Sequence, residues 1–182
     1  VSGRRGGPIV IGIGNVLLRD DGIGPRVVDE LRQVAAREPG AVPAGTRLVD
    51  GGTLGLELLS QVDGARSLVL VDAVDLGQPA GTVGVLRGDG ILAAGRREGQ
   101  RIAGGVGELL SVARLMGWLP EAVCLVGIQV GDTEAGPGLS EPVAAALPQA
   151  VSAALDELRE PGGLTPALRP QAAAGARGRA TA

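Results

Sequence analysis

The chain of 182 residues has no histidine, no lysine, no phenylalanine and no tyrosine. Without histidine it cannot offer an imidazole general base, a Ser-His or Cys-His nucleophile pair, or an imidazole metal ligand of its own. Its one cysteine, Cys124, excludes an intramolecular disulfide and a cysteine-rich zinc site. Set inside an apolar run, it reads as a packed core thiol. A single tryptophan removes the stacking platforms on which single-stranded nucleic acid is bound, and leaves the core to Val, Leu, Ile and Ala. All 17 basic residues are arginine, against 20 acids, for a net charge of −3. That gives no general electrostatic reason to bind a polyanion, so no nucleic-acid partner is expected. No apolar run approaches the roughly 18 residues of a membrane span, and no leader pattern is present. A cytoplasmic protein with no membrane partner is expected.

What is present reads as α/β. Ile9–Ile13 is a short apolar strand, followed by Gly14, Asn15 and a loop carrying Asp20 and Asp21. Gly22, Gly24 and Pro25 then open a helix whose apolar residues, Ile23, Val27, Val28, Leu31, Val34 and Ala35, share one face of a 3.6-residue period. A strand over Thr46–Val49 runs into Asp50-Gly51-Gly52, and a brief helix takes Leu54, Leu58, Leu59 and Val62. Ser67–Ala73 is a continuous apolar run ending on Asp72, as in a parallel strand covered on both faces. Gly81–Leu86 reads as an edge strand or hairpin arm. Residues 87–105 are polar and glycine-rich, a candidate lid. A helix from Val106 to about Gly117, a strand over Val123–Ile128 and a helix from the Ser140 N-cap to Leu158 complete the pattern. The order predicts a three-layer α/β/α fold with a mainly parallel twisted sheet of about five strands, the architecture of many phosphorylases and hydrolases. We expect one domain over 8–160, a flexible segment over 1–7 and a disordered Ala/Gly/Pro/Arg tail over 161–182.

Parallel strands share a direction, so their carboxyl ends line one edge of the sheet, where open α/β folds bind ligands. Here each end delivers an acid or amide: Asn15 with Asp20 and Asp21, then Asp50, then Asp72, then Gln129 with Asp132. With no nucleophile-base pair available, such a ring suits oxygen-ligand metal binding, a carboxylate acid–base pair, or a site for a cationic substrate. Asp20 reads best as a charge at a helix start, Asp50 as an Asx-turn acceptor or a site residue, and Asn15 as a turn residue tolerant of a left-handed backbone or a site residue. An acid at the tip of an apolar strand, Asp72, is costly unless paired. Dinucleotide binding fails on detail, because Leu17 stands where the fingerprint needs its third glycine.

Gly12-Ile-Gly-Asn-Val-Leu-Leu-Arg-Asp-Asp-Gly-Ile-Gly24, Val49-Asp-Gly-Gly-Thr-Leu-Gly55, Leu70-Val-Asp-Ala73, Leu125-Val-Gly-Ile128 and Gly138-Leu-Ser140 together resemble the hydrogenase maturation protease family. The resemblance covers about residues 8–158. It implies an endopeptidase that removes the C-terminal extension of a nickel–iron hydrogenase large-subunit precursor after metal insertion. It also implies that nickel, borne by the substrate rather than permanently bound, is recognised by three side chains. Two of these map onto Asp21 and Asp72, which the resemblance makes both the metal-contacting and the catalytic residues. The Asp50-Gly51-Gly52 turn is implied in substrate docking, and Asn15 of the strand-end ring is expected to bind substrate with it. The third implied ligand is a histidine, and its position here is Ile102; Glu98, Gln100 and Glu108 are the nearest alternative donors in sequence. That departure opens a second reading, a non-catalytic maturation factor that binds the large subunit. A third, a small-molecule enzyme on the same fold, is open on fold grounds alone.

Overall fold

A computed structural model describes residues 6–95, 101–102 and 105–161. Most of the expected flexible N-terminus (residues 1–5) and the tail (162–182) lie outside the described residues, as does part of the candidate lid (96–100 and 103–104).

The elements run β1 (Ile9–Ile13), α1 (Ile23–Arg37), β2 (Arg47–Gly52), α2 (Leu59–Val62), β3 (Ser67–Asp75), β4 (Val83–Arg87), α3 (Asp89–Gly95), β5 (Arg101–Ile102), α4 (Val106–Leu115), β6 (Ala122–Gln129) and α5 (Glu141–Arg159). The main sheet has the order β2-β1-β3-β6-β4, with the two-residue β5 paired to the end of β3. β1 pairs parallel with β2 and β3, and β3 parallel with β6. β4 is antiparallel to β6 at the outer edge, where Gly81–Leu86 was expected to lie. The mainly parallel α/β/α expectation therefore holds, with α3 and β5 added in a segment whose polar, glycine-rich composition hid them.

Two apolar layers follow from strand alternation. Val69, Val71 and Ala73 of β3 join Val10, Val126, Ile128 and the inner faces of α1 and α5. Leu68, Leu70 and Val74 join Ile9, Ile11, Ile13, Leu125 and residues of α2, α3 and α4 on the other face. β1 is buried throughout, and β3 is buried from Ser67 to Val74. Continuous apolar composition is what a strand covered on both sides requires. Cys124 lies in the first layer, and burial together with the neighbouring Glu157 pushes its thiol upward. It is the core thiol expected. Glu157, itself buried on α5, is held by Arg87 of β4.

Two strand ends differ from expectation. β2 continues through Asp50-Gly51-Gly52 because β1 still pairs with it there, Gly12 against Asp50 and Ile13 against Gly52, with a register shift that accommodates Gly51. β3 continues past Asp72 to Asp75, because β6 pairs with it as far as Val74 against Gln129. Asp72 therefore lies inside the strand rather than at its tip.

The chain leaves β1 for β2 on one side and then crosses to β3 on the other, which makes the β1/β3 boundary the topological switch point. α1 begins directly over it. A Cβ on Gly24 would lie 2.2 Å from the Ile13 carbonyl oxygen and 2.6 Å from that of Val71. The first turn of α1 thus touches β1 and β3 backbone to backbone. Gly24→Ala is therefore expected to cost about 1–3 kcal/mol or more, read as a lowered midpoint in urea unfolding. Gly90→Ala, in α3 with open space around the new methyl, should be neutral or stabilising by up to about 1 kcal/mol.

Candidate active site

The opening loop is built by close approach. Gly14 has φ +135°, and a Cβ there would stand 1.8 Å from the Asp21 carbonyl oxygen. Its N–H donates to the Gly52 carbonyl at 2.9 Å, which ties the ends of β1 and β2 together. Glycine thus supplies the left-handed backbone, and Asn15 does not. Asn15 forms an Asx turn instead, its Oδ1 accepting from Leu17 N–H at 3.0 Å, while its own N–H donates to Asp21 Oδ2 at 2.7 Å.

The structure sorts the ring of strand-end residues into supports and free groups. Gln129 is buried and fully engaged: Oε1 accepts from the N–H groups of Leu76 and Gln78, and Nε2 donates to Asp75 and to the Val130 carbonyl. Asp132 pairs with Arg19 at 2.9 Å and accepts from Glu134 N–H. Asp50 is exposed and makes the Asx bond to Gly52 N–H at 3.0 Å. Gly51 lies beneath it, where a Cβ would meet Ile11 Cγ2 at 2.8 Å. Asp50, Gly51 and Gly52 stand beside the opening loop through the Gly14–Gly52 bond, with the aspartate side chain pointing to solvent.

Asp20 corrects the sequence reading. It precedes α1, but it caps nothing there; α1 has Gly22 at its N-cap and no side-chain cap bond. Its fully buried carboxylate accepts instead from the N–H groups of Gly131, Asp132 and Ser140 and from Ser140 Oγ, at 2.6–2.9 Å. Burial alone would raise its pKa, but these donors outweigh burial and hold it below 3.8. Ser140 sits at the α5 N-cap as expected, with its hydroxyl committed to Asp20 rather than to the helix.

Asp72 is the opposite case. It is fully buried, and among the described residues neither carboxylate oxygen has a hydrogen-bond partner. Alternation puts it on the face of Leu70 and Val74, toward α4. It is the first β3 residue beyond the β1 ladder, and its β6 neighbour is Gly127, which has no side chain to offer it. Burial is the main cause that pushes its carboxyl well above the ordinary range; the charge of Asp21 adds to this. The backbone N–H of Ala73 pulls more weakly the other way, from outside hydrogen-bonding geometry. Asp21, half-buried, lines a cleft of about 270 Å³ with Leu18, Ala73, Val74, Asp75, Val130 and Thr133. At the switch point the charge of Asp21 thus reaches Asp72, which lies buried beside Ala73 of the same cleft's lining.

Ile102 pairs with Val74 on the face that carries Asp72, and packs against the same apolar layer. It is apolar, so it adds no donor. Glu108 is exposed on α4 and borders another cleft with Ile102, Val106 and Ser111. Among the described residues no three acidic or thiol side chains gather as a metal site, and Glu98 and Gln100 lie outside them.

A sequence model of the family described as hydrogenase maturation protease matches residues 25–157. The chain belongs to that family. The hydrogenase expression/formation protein HupD of Rhodobacter capsulatus is 38% identical over 153 residues, covering 83% of this chain and 70% of that protein. The hydrogenase 2 maturation protease of Escherichia coli K12 is 33% identical over 155 residues, covering 85% and 92%. The solved structure of the hydrogenase maturating endopeptidase HybD from E. coli superposes with a TM-score of 0.73 at 32% identity, covering 85% of this chain and 93% of that one. The family match takes in Asp50 and Asp72 and begins just after Asp21. No helix among the described residues is long and apolar enough to cross a membrane.

In this member of the hydrogenase maturation proteases, Asp72 sets a pH dependence. Its folded pKa lies above 3.8, so above that pH the folded state holds a proton that the unfolded chain releases. Its contribution to stability is full below the unfolded pKa and is lost as pH rises through the folded one. Asp72→Asn should remove this loss: its stability advantage over wild type grows from pH 4 upward, by at most about 1.4 kcal/mol per pH unit, in urea unfolding across pH 4 to 7. A pH-independent difference would show that Asp72 is ionised in the fold.

Proposed function

We propose that this chain is an endopeptidase that removes the C-terminal extension from a nickel–iron hydrogenase large-subunit precursor after metal insertion. In this reading Asp21 and Asp72 recognise the nickel that the substrate carries. The observation that supports it is the unpartnered carboxylate of Asp72. A buried acid with no hydrogen bond costs several kcal/mol, and a group held at that cost beside a second acid suits an arriving cation. Asp21 and Asp72 fit a metal as oxygen donors, Ile102 adds none, and no third donor joins them among the described residues; in this reading the substrate's own groups complete the ligand set. A metal placed there polarises a carbonyl or a water.

The chain's own residues then act without a covalent nucleophile, since it has neither a histidine nor an accessible thiol. Asp21, held on one oxygen by Asn15 N–H, has its other oxygen to accept a proton from the attacking water and to return it to the departing amine as the peptide C–N bond breaks. Asp72 gives up its proton as the cation approaches, because an opposite charge favours the ionised form that burial disfavours. The exposed Asp50 and the Gly51-Gly52 backbone, tied to the opening loop, are the proposed docking edge for the extension, with Asn15 beside them.

The second reading, a large-subunit-binding maturation factor without activity, draws on Ile102, which leaves the carboxylate pair without a nitrogen ligand. The two readings separate in one assay: incubation with nickel-loaded precursor, followed by intact-mass spectrometry and a pull-down. Endopeptidase activity predicts loss of the tail mass, reduced about 10²-fold or more in Asp21→Asn and in Asp72→Asn. Intact precursor that still binds, equally well to wild type and Asp21→Asn, would favour the binding factor and sink the peptidase.

A further inference from the structure

Asp20 and Asp21 are consecutive, yet their side chains serve different segments: Asp20 bonds residues between β6 and α5, and Asp21 bonds Asn15 of its own loop and lines the cleft. Asp20 reaches the segment between β6 and α5 and binds three of its backbone N–H groups and the Ser140 hydroxyl. Around it the two segments are joined along their length. Asp20 N–H donates to the Asp132 carbonyl, Arg19 N–H to that of Gly136, and Gly136 N–H to that of Leu17, at 2.9–3.2 Å. Leu18 and Gly136 form a parallel bridge, and Arg19 pairs with Asp132.

This joint is held against a backbone penalty. Arg19 has φ +44°, the one positive φ outside glycine among the described residues. A left-handed backbone is unfavourable for a non-glycine residue and persists only where its surroundings over-determine it. Those surroundings are the Arg19 bonds to Gly136 and Asp132 and, on the next residue, the buried Asp20 carboxylate with its four donors. The next residue, Asp21, is anchored by its own N–H on the Leu18 carbonyl and by Asn15 N–H on its carboxylate. Both anchors belong to the loop that Asp20 fastens. The fastened β6–α5 segment in turn supplies Val130 and Thr133 to the lining of the cleft that Asp21 also lines.

We infer that Asp20 is a positioning residue for Asp21: its carboxylate clamps the opening loop to the β6–α5 segment, and thereby sets both the aim of Asp21 and the separation of the cleft walls. That Asp21 acts on a precursor in this cleft is the reading proposed above, and the inference rests on it only for its catalytic consequence.

The test is amide hydrogen exchange by NMR on the full chain, paired with processing kinetics. Asn15 N–H reports on Asp21, because Asp21 Oδ2 is its acceptor; Gly131, Asp132 and Ser140 report on Asp20. In Asp20→Asn the side-chain NH2 faces donors. Exchange at Gly131, Asp132, Ser140 and Asn15 should rise tenfold or more, with the amides of Leu70 and Val126 in the sheet unchanged. In precursor processing, kcat should fall at least tenfold. Asp21→Asn should leave Gly131, Asp132 and Ser140 protected. If Asp20→Asn fails to fold, Ser140→Ala removes one of the four donors and should raise exchange at Asn15 at least twofold. Unchanged protection of Asn15 while the Asp20-bonded amides loosen would overturn the inference. If wild type processes no precursor, the peptidase reading fails, and exchange at Asn15 still decides the role of Asp20.

Discussion

The site depends on one contact, the backbone of the first turn of α1 resting on the backbones of β1 and β3. Gly24 stands where any Cβ would strike the carbonyls of Ile13 and Val71, and this brings the helix start down onto the switch point. The loop between them is forced to fold back over the strand ends, carrying Asp20 and Asp21 with it. The glycines of the opening motif thus serve packing rather than phosphate binding. The sequence already lacks the third glycine of a dinucleotide fingerprint at Leu17, and the close approach gives these glycines a different role.

Onto that frame the molecule places two acids treated in opposite ways. Asp20 has four donors and is held ionised; Asp72 has none and is pushed toward its neutral form. Both are closed to solvent, but Asp72 lies deeper in the core than Asp20. The presence of hydrogen-bond partners separates them further. A buried polar group with partners rigidifies a structure, whereas one without them stores unfavourable free energy that a ligand can relieve. Asp21 stands between the two, on a loop fastened by the first and in the field of the second.

Much of this was legible in the chain. The apolar runs of β1, β3 and β6 are continuous because both faces are covered, and that pattern survives without any tertiary knowledge. That acids of the opening loop and of β3 lie toward one edge followed from parallel strands sharing a direction; singling out Asp21 with Asp72 rested on the family resemblance. Three things did not follow. The partners of Asp20 lie 111–120 residues away in sequence, so no local pattern announces them, and a helix-start charge was the nearest local explanation. The end of β3 was placed at Asp72 because an acid interrupts the apolar run, although pairing with β6 carries the strand on to Asp75. α3 and β5 lie in polar, glycine-rich sequence whose order comes from packing on α4 and pairing with β3, which composition does not encode.

Membership of the hydrogenase maturation protease family sits beside one departure, an isoleucine where the family resemblance implies an imidazole. Among the described residues the carboxylate pair is then what the proposed site offers a cation, and the state of Asp72 is the central claim. The most direct measurement is the carbon-13 shift of the Asp72 carboxyl, followed by NMR against pH and against added precursor. The account predicts a carboxyl that titrates well above an ordinary aspartate in the free protein, and that ionises when nickel-loaded precursor binds but not when metal-free precursor does. An Asp72 that titrates as an ordinary carboxylate, or that ignores the metal on the substrate, would contradict it.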